Sequence, residues 1–180
     1  MPDKRVNKEV TEMSTLARAL FARYRYPDWL QRHSLAAGRV ARRIALAQHA
    51  RGAAVDPRAA TLGAYLHDIG KSPLLSGDGR PHETLGPLVL AAEGLSELAE
   101  LSRRHPVYAP RHLETAPRTL EEKIVYYADR RAGQEIVSLE ARIDEQLAPV
   151  SGAGRDARGR PRQRPRDRSR GLRGSAIRTC

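Results

Sequence analysis

Apolar residues recur every three or four positions along most of this chain, and that periodicity constrains the fold more than any other feature of the sequence. No segment shows the two-residue alternation typical of a half-buried β-strand. Aromatic residues make up only 4% of the chain, and alanine and leucine dominate the apolar set, which favours closely packed helices over a β-sandwich. The 180 residues suffice for one domain. We therefore predict an all-α bundle of about six to seven helices.

Residues that start and stop helices give the approximate boundaries. We predict helices over residues 4–24, 28–50, 57–68, 82–104 with a break near Gly94, and 119–147. Asp28 with Gln31, and Thr119 with Glu122, have the spacing of a capping box. Gly70 is typical of a helix end.

The composition changes after Pro149 to arginine, glycine, proline and serine, with little apolar surface to offset the entropy of ordering. We predict a helical domain over residues 1–148, with its core at about 20–148, and a disordered tail over 149–180. From Ser151 to Cys180 there are ten arginines and two aspartates, a net charge of +8, so the rest carries +3 of the total +11. The tail is either a basic arm for nucleic acid or another polyanion, or a dispensable extension.

Cysteine usage and hydropathy favour a cytoplasmic protein. The single cysteine, Cys180, excludes an intrachain disulfide and a thiolate metal site, as expected in a reducing compartment. Residues 1–5 lead into polar residues rather than the apolar segment of a secretory signal. No apolar run approaches the ~20 residues of a membrane helix, so we expect no membrane partner. The sequence does not indicate the oligomeric state.

His33 lies near the start of the second predicted helix, on its apolar face. Its neighbours at i+4, i+7 and i+11 are Ala37, Val40 and Ile44, so the imidazole should point into the core. A single buried histidine is more often a hydrogen-bonded core residue than a metal ligand. His33 alone therefore leaves both interpretations open.

His67 and Asp68 stand together at a predicted helix end, where the helix dipole disfavours a carboxylate. A bound cation would compensate Asp68; an exposed turn residue is the alternative. Asp129 lies mid-helix among apolar neighbours, and buried carboxylates are usually paired or bound to metal. For Asp129 the alternative is a salt bridge to an arginine. With His33, these residues would offer two nitrogen and two oxygen ligands and leave positions open for water and substrate.

This pattern resembles the HD superfamily in its HDIG form. The resemblance is carried by His33, by His67-Asp68-Ile69-Gly70-Lys71, and by Tyr127-Ala128-Asp129, and it extends over about residues 20–148. It implies a compact helical HD domain with metal-dependent phosphohydrolase activity. It also implies that His33, His67, Asp68 and Asp129 are metal ligands.

Two further histidines match HD proteins that hold two metals. His82 begins the run His-Glu-Thr-Leu-Gly, and His105 ends the next helical segment. The arrangement is similar to that of bacterial symmetrical diadenosine tetraphosphatases and of the HD region of ribonuclease Y. By that resemblance His82 and His105 bind a second metal and Asp68 bridges the two; surface histidines are the alternative. His49 and His112 have no matching role, and we predict that they lie on the surface.

The chain also departs from some relatives. Arg104-His105-Pro106 lacks the double histidine and the Gly-Tyr-Pro motif of the cyclic-di-GMP phosphodiesterases. Ile69-Gly70 stands where alarmone hydrolases have a Glu-Asp pair. No KH domain or membrane anchor precedes the HD region, as one would in ribonuclease Y. We therefore expect neither cyclic-di-GMP phosphodiesterase activity nor alarmone hydrolase activity.

The resemblance also implies roles in the reaction. Asp68 and Asp129 would hold the metal and Asp129 could orient the attacking water, while Lys71 would contact phosphate, with a solvated lysine as the alternative. Arg104 and Arg130 are further candidates for binding phosphate. Imidazole-rich ligation favours one or two ions of Mn, Fe, Co, Ni or Zn over Mg.

Three functions fit these residues. The first is a phosphohydrolase of a small phosphorylated substrate of the nucleotide type, including a dinucleoside polyphosphate. The second is an RNA or DNA phosphodiesterase of the ribonuclease Y type, which the basic tail favours and the nearly neutral body does not. The third is a non-catalytic regulatory HD module that binds a nucleotide.

Overall fold

Six α-helices make up most of residues 4–132, the part of the chain that this computed structural model describes, with side chains from residue 11. They are α1 (Lys4–Arg23), α2 (Asp28–Ala50), α3 (Pro57–Leu66), α4 (His82–Ala92), α5 (Ala99–Arg103) and α6 (Leu120–Arg131). Short 3₁₀ helices at Ile69–Lys71, Pro73–Leu75, Ser96–Leu98 and Ala109–Arg111 lie in the connections. The described residues contain no strand, so the predicted all-α class is confirmed.

α2 is central to the bundle, where it packs against α3 and α6, and α3 in turn packs against α1, α5 and α6. The inner face of α2 is built from small residues such as Ala37 and Ala41, both fully buried, which let the neighbouring helices approach closely. α2 and α3 approach each other closely at Gly38, where an added Cβ would lie 2.1 Å from the ring of Tyr65 on α3. This contact brings the His33 end of α2 beside the end of α3.

One of the two predicted capping boxes is present. The hydroxyl of Thr119 accepts from the Glu122 amide at 3.2 Å, and the Glu122 carboxylate accepts from the Thr119 amide at 3.3 Å. The prediction at Asp28 is wrong, because Asp28 is the first residue of α2 and not its N-cap. Pro27 is the N-cap, with φ −65° and ψ 155°, and no side chain caps the helix. Asp28 instead lies in the first turn, where its charge faces the positive end of the helix dipole.

The connection after α3 differs from the prediction in a way that affects the site. α3 ends at Leu66, so His67 and Asp68 follow the helix rather than closing it. Gly70 does not have positive φ, which among the described residues is found at Gly52, Gly79, Gly94 and Arg25. Gly70 is needed for packing: a Cβ there would lie 2.0 Å from the carbonyl oxygen of His82. The glycine therefore lets α4 lie directly against the His67–Asp68 segment.

α6 is shorter than predicted. It ends at Arg131, and Ala132 has an extended backbone with φ −98° and ψ 107°. Gly133, which weakens a helix interior, follows in the sequence. The rest of the predicted helix, the domain boundary at 148 and the tail at 149–180 lie outside the described residues and stay predictions.

None of the helices in the described region combines the length and the apolar character needed to cross a bilayer.

Candidate metal centre

The six side chains predicted to bind metal converge in the middle of the bundle, although they come from five separate places in the fold. His33 lies on α2, His67 and Asp68 follow α3, His82 is the first residue of α4, His105 follows α5, and Asp129 lies on α6. All except His82 are at most 7% exposed.

His33, His67 and Asp129 form the first cluster. The two Nε2 atoms of His33 and His67 lie 3.2 Å apart. Oδ1 of Asp129 lies 3.2 Å from Nε2 of His33 and 3.6 Å from Nε2 of His67. Three donor atoms from three elements therefore point at one small volume, as they do around a single cation.

His82 and His105 form the second cluster, with their Nε2 atoms 3.1 Å apart. Oδ1 of Asp68 lies 3.2 Å from Nε2 of His105 and 3.5 Å from Nε2 of His82. The side chain of His82 is 29% exposed, so this cluster borders the solvent.

Asp68 lies between the two clusters and turns one oxygen towards each. Its Oδ2 lies 3.4 Å from Nε2 of His67 and 3.6 Å from Nε2 of His33. Its Oδ1 faces the second cluster, and this buried oxygen accepts no hydrogen bond. A buried carboxylate oxygen without a hydrogen-bond donor is costly, and a bound cation would remove that cost.

Backbone carbonyl groups orient two of the imidazoles. Nδ1 of His67 donates to the carbonyl of Ala64 at 2.8 Å, and Nδ1 of His105 donates to that of Ser102 at 2.6 Å. Since a carbonyl can only accept, Nδ1 carries the proton in both rings and Nε2 is directed into the site. Metal-binding histidines are commonly fixed in this way. The hydroxyl of Ser102 also donates to the His67 carbonyl at 2.7 Å and so ties α5 to the His67–Asp68 segment.

The electrostatics of the clusters also suit a cation. Burial by itself would raise the pKa of Asp68 and Asp129, but the histidines around both carboxyls, and Lys71 beside Asp68, hold each pKa well below its usual range. Burial by itself would lower the pKa of His67, yet the two carboxylates outweigh it and raise that pKa to about 10. The two buried carboxylates thus attract positive charge, which a proton supplies when no metal is bound.

The histidines of the second cluster have lowered pKa values, unlike His67. Burial lowers the pKa of His82 to about 4 and also lowers the pKa of His105. At neutral pH both rings are therefore uncharged, which is the protonation state in which imidazole binds a metal.

Lys71 lies at the solvent side of the centre. Its Nζ is 2.8 Å from Oδ2 of Asp68, and its side chain is 37% exposed. With the partly exposed His82, it borders the side from which a substrate could reach the clusters.

The two arginines predicted to bind phosphate have other contacts. Arg130 is 1% exposed; it donates to Oδ2 of Asp129 at 2.5 Å and to the carbonyl of His105 at 2.7 Å. Arg104 is 8% exposed and donates to Glu100 at 2.8 Å and to the carbonyl of Glu114 at 2.5 Å. Both guanidinium groups are therefore bonded to carboxylates and backbone carbonyls of the protein. Their contact with phosphate stays a prediction. The predicted surface positions of His49 and His112 are confirmed, since both are exposed.

Sequence reasoning missed Glu83, Tyr108 and Ser102. Oε2 of Glu83 lies 3.2 Å from Nδ1 of His82, and the hydroxyl of Tyr108 donates to Oε1 of Glu83. The adjacency of His82 and Glu83 was a signal that could have been used, because ligating histidines often contact a carboxylate. Nothing in the sequence places Tyr108 or Ser102 beside these residues.

Comparison with known families agrees with this geometry. A family model described as HD domain matches residues 30–133, which is more than half of the chain. The chain therefore belongs to the HD domain family, whose members are in general metal-dependent phosphohydrolases. Comparisons with curated proteins and with solved structures found no match.

Proposed function

We propose that this protein is a hydrolase that cleaves a phosphoester or phosphoanhydride bond of a nucleotide-type substrate and works in the cytoplasm. One observation carries the proposal: six side chains of metal-binding type from five places in the fold meet in one centre, with Asp68 between two histidine clusters. A buried salt bridge alone would not need four imidazoles around two carboxylates.

The donor atoms fit one or two divalent transition-metal ions. His33, His67, Asp68 and Asp129 would hold the first ion, and Asp68, His82 and His105 the second. The fit rests on the Nε2 atoms directed inward and on the orphaned Oδ1 of Asp68. Mixed imidazole and carboxylate ligation suits Mn, Fe, Co, Ni or Zn better than Mg.

A bound ion would lower the pKa of a coordinated water from ~15.7 towards ~7 and so supply hydroxide at neutral pH. Asp129 is well placed to orient that water: Arg130 occupies its Oδ2, which leaves Oδ1 facing the clusters. Lys71 is placed to bind a non-bridging phosphate oxygen, because its ammonium is both next to Asp68 and partly exposed. The chain's own residues thus provide a water-orienting carboxylate and a phosphate-binding cation.

A second candidate, an RNA or DNA phosphodiesterase, is favoured by the charge of α2. α2 contains four arginines and one acidic residue, Asp28. Arg39 and Arg43 are exposed, and within the described part of the chain neither forms an ion pair. Two exposed arginines one turn apart on a helix suit the phosphates of a nucleic acid. The basic tail would add to this attraction.

A substrate screen tests the proposal. We expect the purified protein with Mn²⁺ to hydrolyse bis-p-nitrophenyl phosphate, and a nucleotide in a panel faster than a labelled RNA. His67→Ala and Asp68→Ala should abolish turnover and metal binding, whereas His112→Ala, at an exposed histidine, should change neither. Faster cleavage of RNA would favour the second candidate. A protein that purifies without metal and stays inactive with Mn²⁺ would be a regulatory HD module instead.

A further inference from the structure

The histidines of the centre are not all held in the same way. The rings of His67 and His105 each donate from Nδ1 to a backbone carbonyl three residues earlier. His82 cannot be held like this, because it is the first residue of α4 and the preceding residues, which include Pro81, are outside the helix. Its Nδ1 lies instead 3.2 Å from Oε2 of Glu83.

Glu83 is held in turn by a residue from another part of the chain. Its second oxygen, Oε1, accepts from the hydroxyl of Tyr108, which lies just before the 3₁₀ helix at Ala109–Arg111. Tyr108 is 41% exposed, so the hydroxyl is the part of this side chain that ties it to α4. The pair connects α4 to the segment that follows His105, and so spans the two elements that carry the second cluster.

We propose that Glu83 is a positioning residue: its carboxylate, anchored by Tyr108, holds the His82 imidazole with Nε2 directed at Asp68 and His105. This inference deepens the proposed function, on which it rests. Glu83 does not itself contribute to the ion's ligands. Its carboxylate attracts the Nδ1–H edge of the ring and makes Nε2 a better donor, as carboxylates behind ligating histidines do.

Substitution of Glu83 or Tyr108 should weaken the binding of only one of the two ions. None of the described contacts of Glu83 or Tyr108 is with His33, His67 or Asp129, so the first cluster should be indifferent to their substitution. The second ion would have three protein ligands, of which His82 is the most exposed. Loss of a carboxylate behind a histidine ligand typically weakens metal binding about 10–100-fold.

Calorimetric titration of metal-free full-length protein with Mn²⁺ tests this. We expect wild type to bind two ions. Glu83→Gln, which keeps the side-chain volume and removes the charge, should weaken the second ion about tenfold or more and leave the first unchanged. Tyr108→Phe should weaken the second ion less. Glu97→Gln and Tyr127→Phe, at exposed residues, are the matched controls and should bind as wild type.

The electron paramagnetic resonance spectrum of the Mn²⁺ protein supplies a readout that a purely structural role would not change. Wild type should show the coupled signal of two neighbouring ions, and Glu83→Gln that of a single ion at the same Mn²⁺ concentration. If Glu83→Gln binds both ions as wild type does, or weakens both equally, the inference is wrong and the proposed function stands. If wild type binds one ion, the inference is wrong and a one-metal hydrolase remains. Failure of wild type to bind Mn²⁺ at all would reject both.

Discussion

Arg130 fixes the carboxylate of its neighbour Asp129: Nη1 donates to Oδ2 at 2.5 Å. The other arm of the same guanidinium, Nη2, donates to the carbonyl oxygen of His105 at 2.7 Å, and the group lies 4.1 Å above the ring of Tyr126. The buried guanidinium group of Arg130 thus connects Asp129 of the first cluster with the backbone of His105 of the second.

Replacing Arg130 by lysine should therefore destabilise the protein. Lysine keeps the charge but cannot donate in two fixed directions, so either Asp129 or the His105 carbonyl loses a partner. We expect a loss of about 1.5–3 kcal/mol in the free energy of unfolding, because hydrogen bonds to charged groups are of that size. Urea unfolding of the metal-free protein measures it. Arg131→Lys, at the partly exposed next residue, is the control and should change the midpoint little.

Gly70 should tolerate no side chain. A Cβ there would lie 2.0 Å from the carbonyl oxygen of His82 and 2.9 Å from the amide of Gly86, both backbone atoms that cannot swing aside. We expect Gly70→Ala to cost about 1–3 kcal/mol of stability and to weaken metal binding at His82, since α4 must move. Gly77→Ala meets no atom within 4 Å and should behave as wild type. Equal unfolding midpoints for the two variants would contradict the packing described for α4.

The metal-free protein should lose stability as the pH rises from 7 to 9.5. The pKa of His67 is about 10 in the folded protein against 6.5 for a free histidine. The stabilisation that protonated His67 gives to the folded state is therefore fully present below pH 6.5 and is lost as the pH approaches 10. His82 and His105, whose pKa values are lowered, are already neutral over this range. Melting temperatures recorded with EDTA across these pH values test the prediction. Protein saturated with metal should lack this loss, because the ion replaces the proton; a flat profile without metal would show that His67 is not protonated there.

Substitution of Lys71 should reduce substrate turnover and leave metal binding unchanged. Lys71→Gln removes the ammonium next to Asp68 but none of the six predicted ligands. We expect kcat/KM for a phosphodiester to fall by about tenfold or more, as for the loss of a charge-assisted hydrogen bond to phosphate. Metal content, measured by elemental analysis, should stay at the wild-type level. Unchanged kcat/KM would mean that Lys71 only balances the charge of Asp68.

Much of the centre could be predicted from the sequence because its residues carry local signals. His33 lies on an apolar helix face, His67-Asp68-Ile69-Gly70 is a recognisable run, and Asp129 interrupts an apolar helix face. The structure brings these residues together with His82 and His105. Metal binding by these six residues is what we propose.

Other features had a misleading local signal or depend on contacts between distant elements. The spacing of Asp28 and Gln31 predicts a capping box, but Pro27 sets the helix start. The sequence shows that Gly70 ends a helical pattern, whereas the approach of His82 that requires a glycine appears only once α4 is in place. The buried positions of Arg104 and Arg130 likewise follow from carbonyls and carboxylates that the fold supplies.

Counting bound metal in wild type and in Asp68→Asn tests the central claim most directly. Asp68 turns one oxygen towards each cluster, and asparagine keeps its shape while removing the charge. By equilibrium dialysis against Mn²⁺ we expect two ions per chain in wild type and a severe loss of both in Asp68→Asn, with Asp78→Asn, at an exposed aspartate, unchanged. Wild-type protein that binds no ion, or Asp68→Asn protein that binds as many as wild type, would contradict the account.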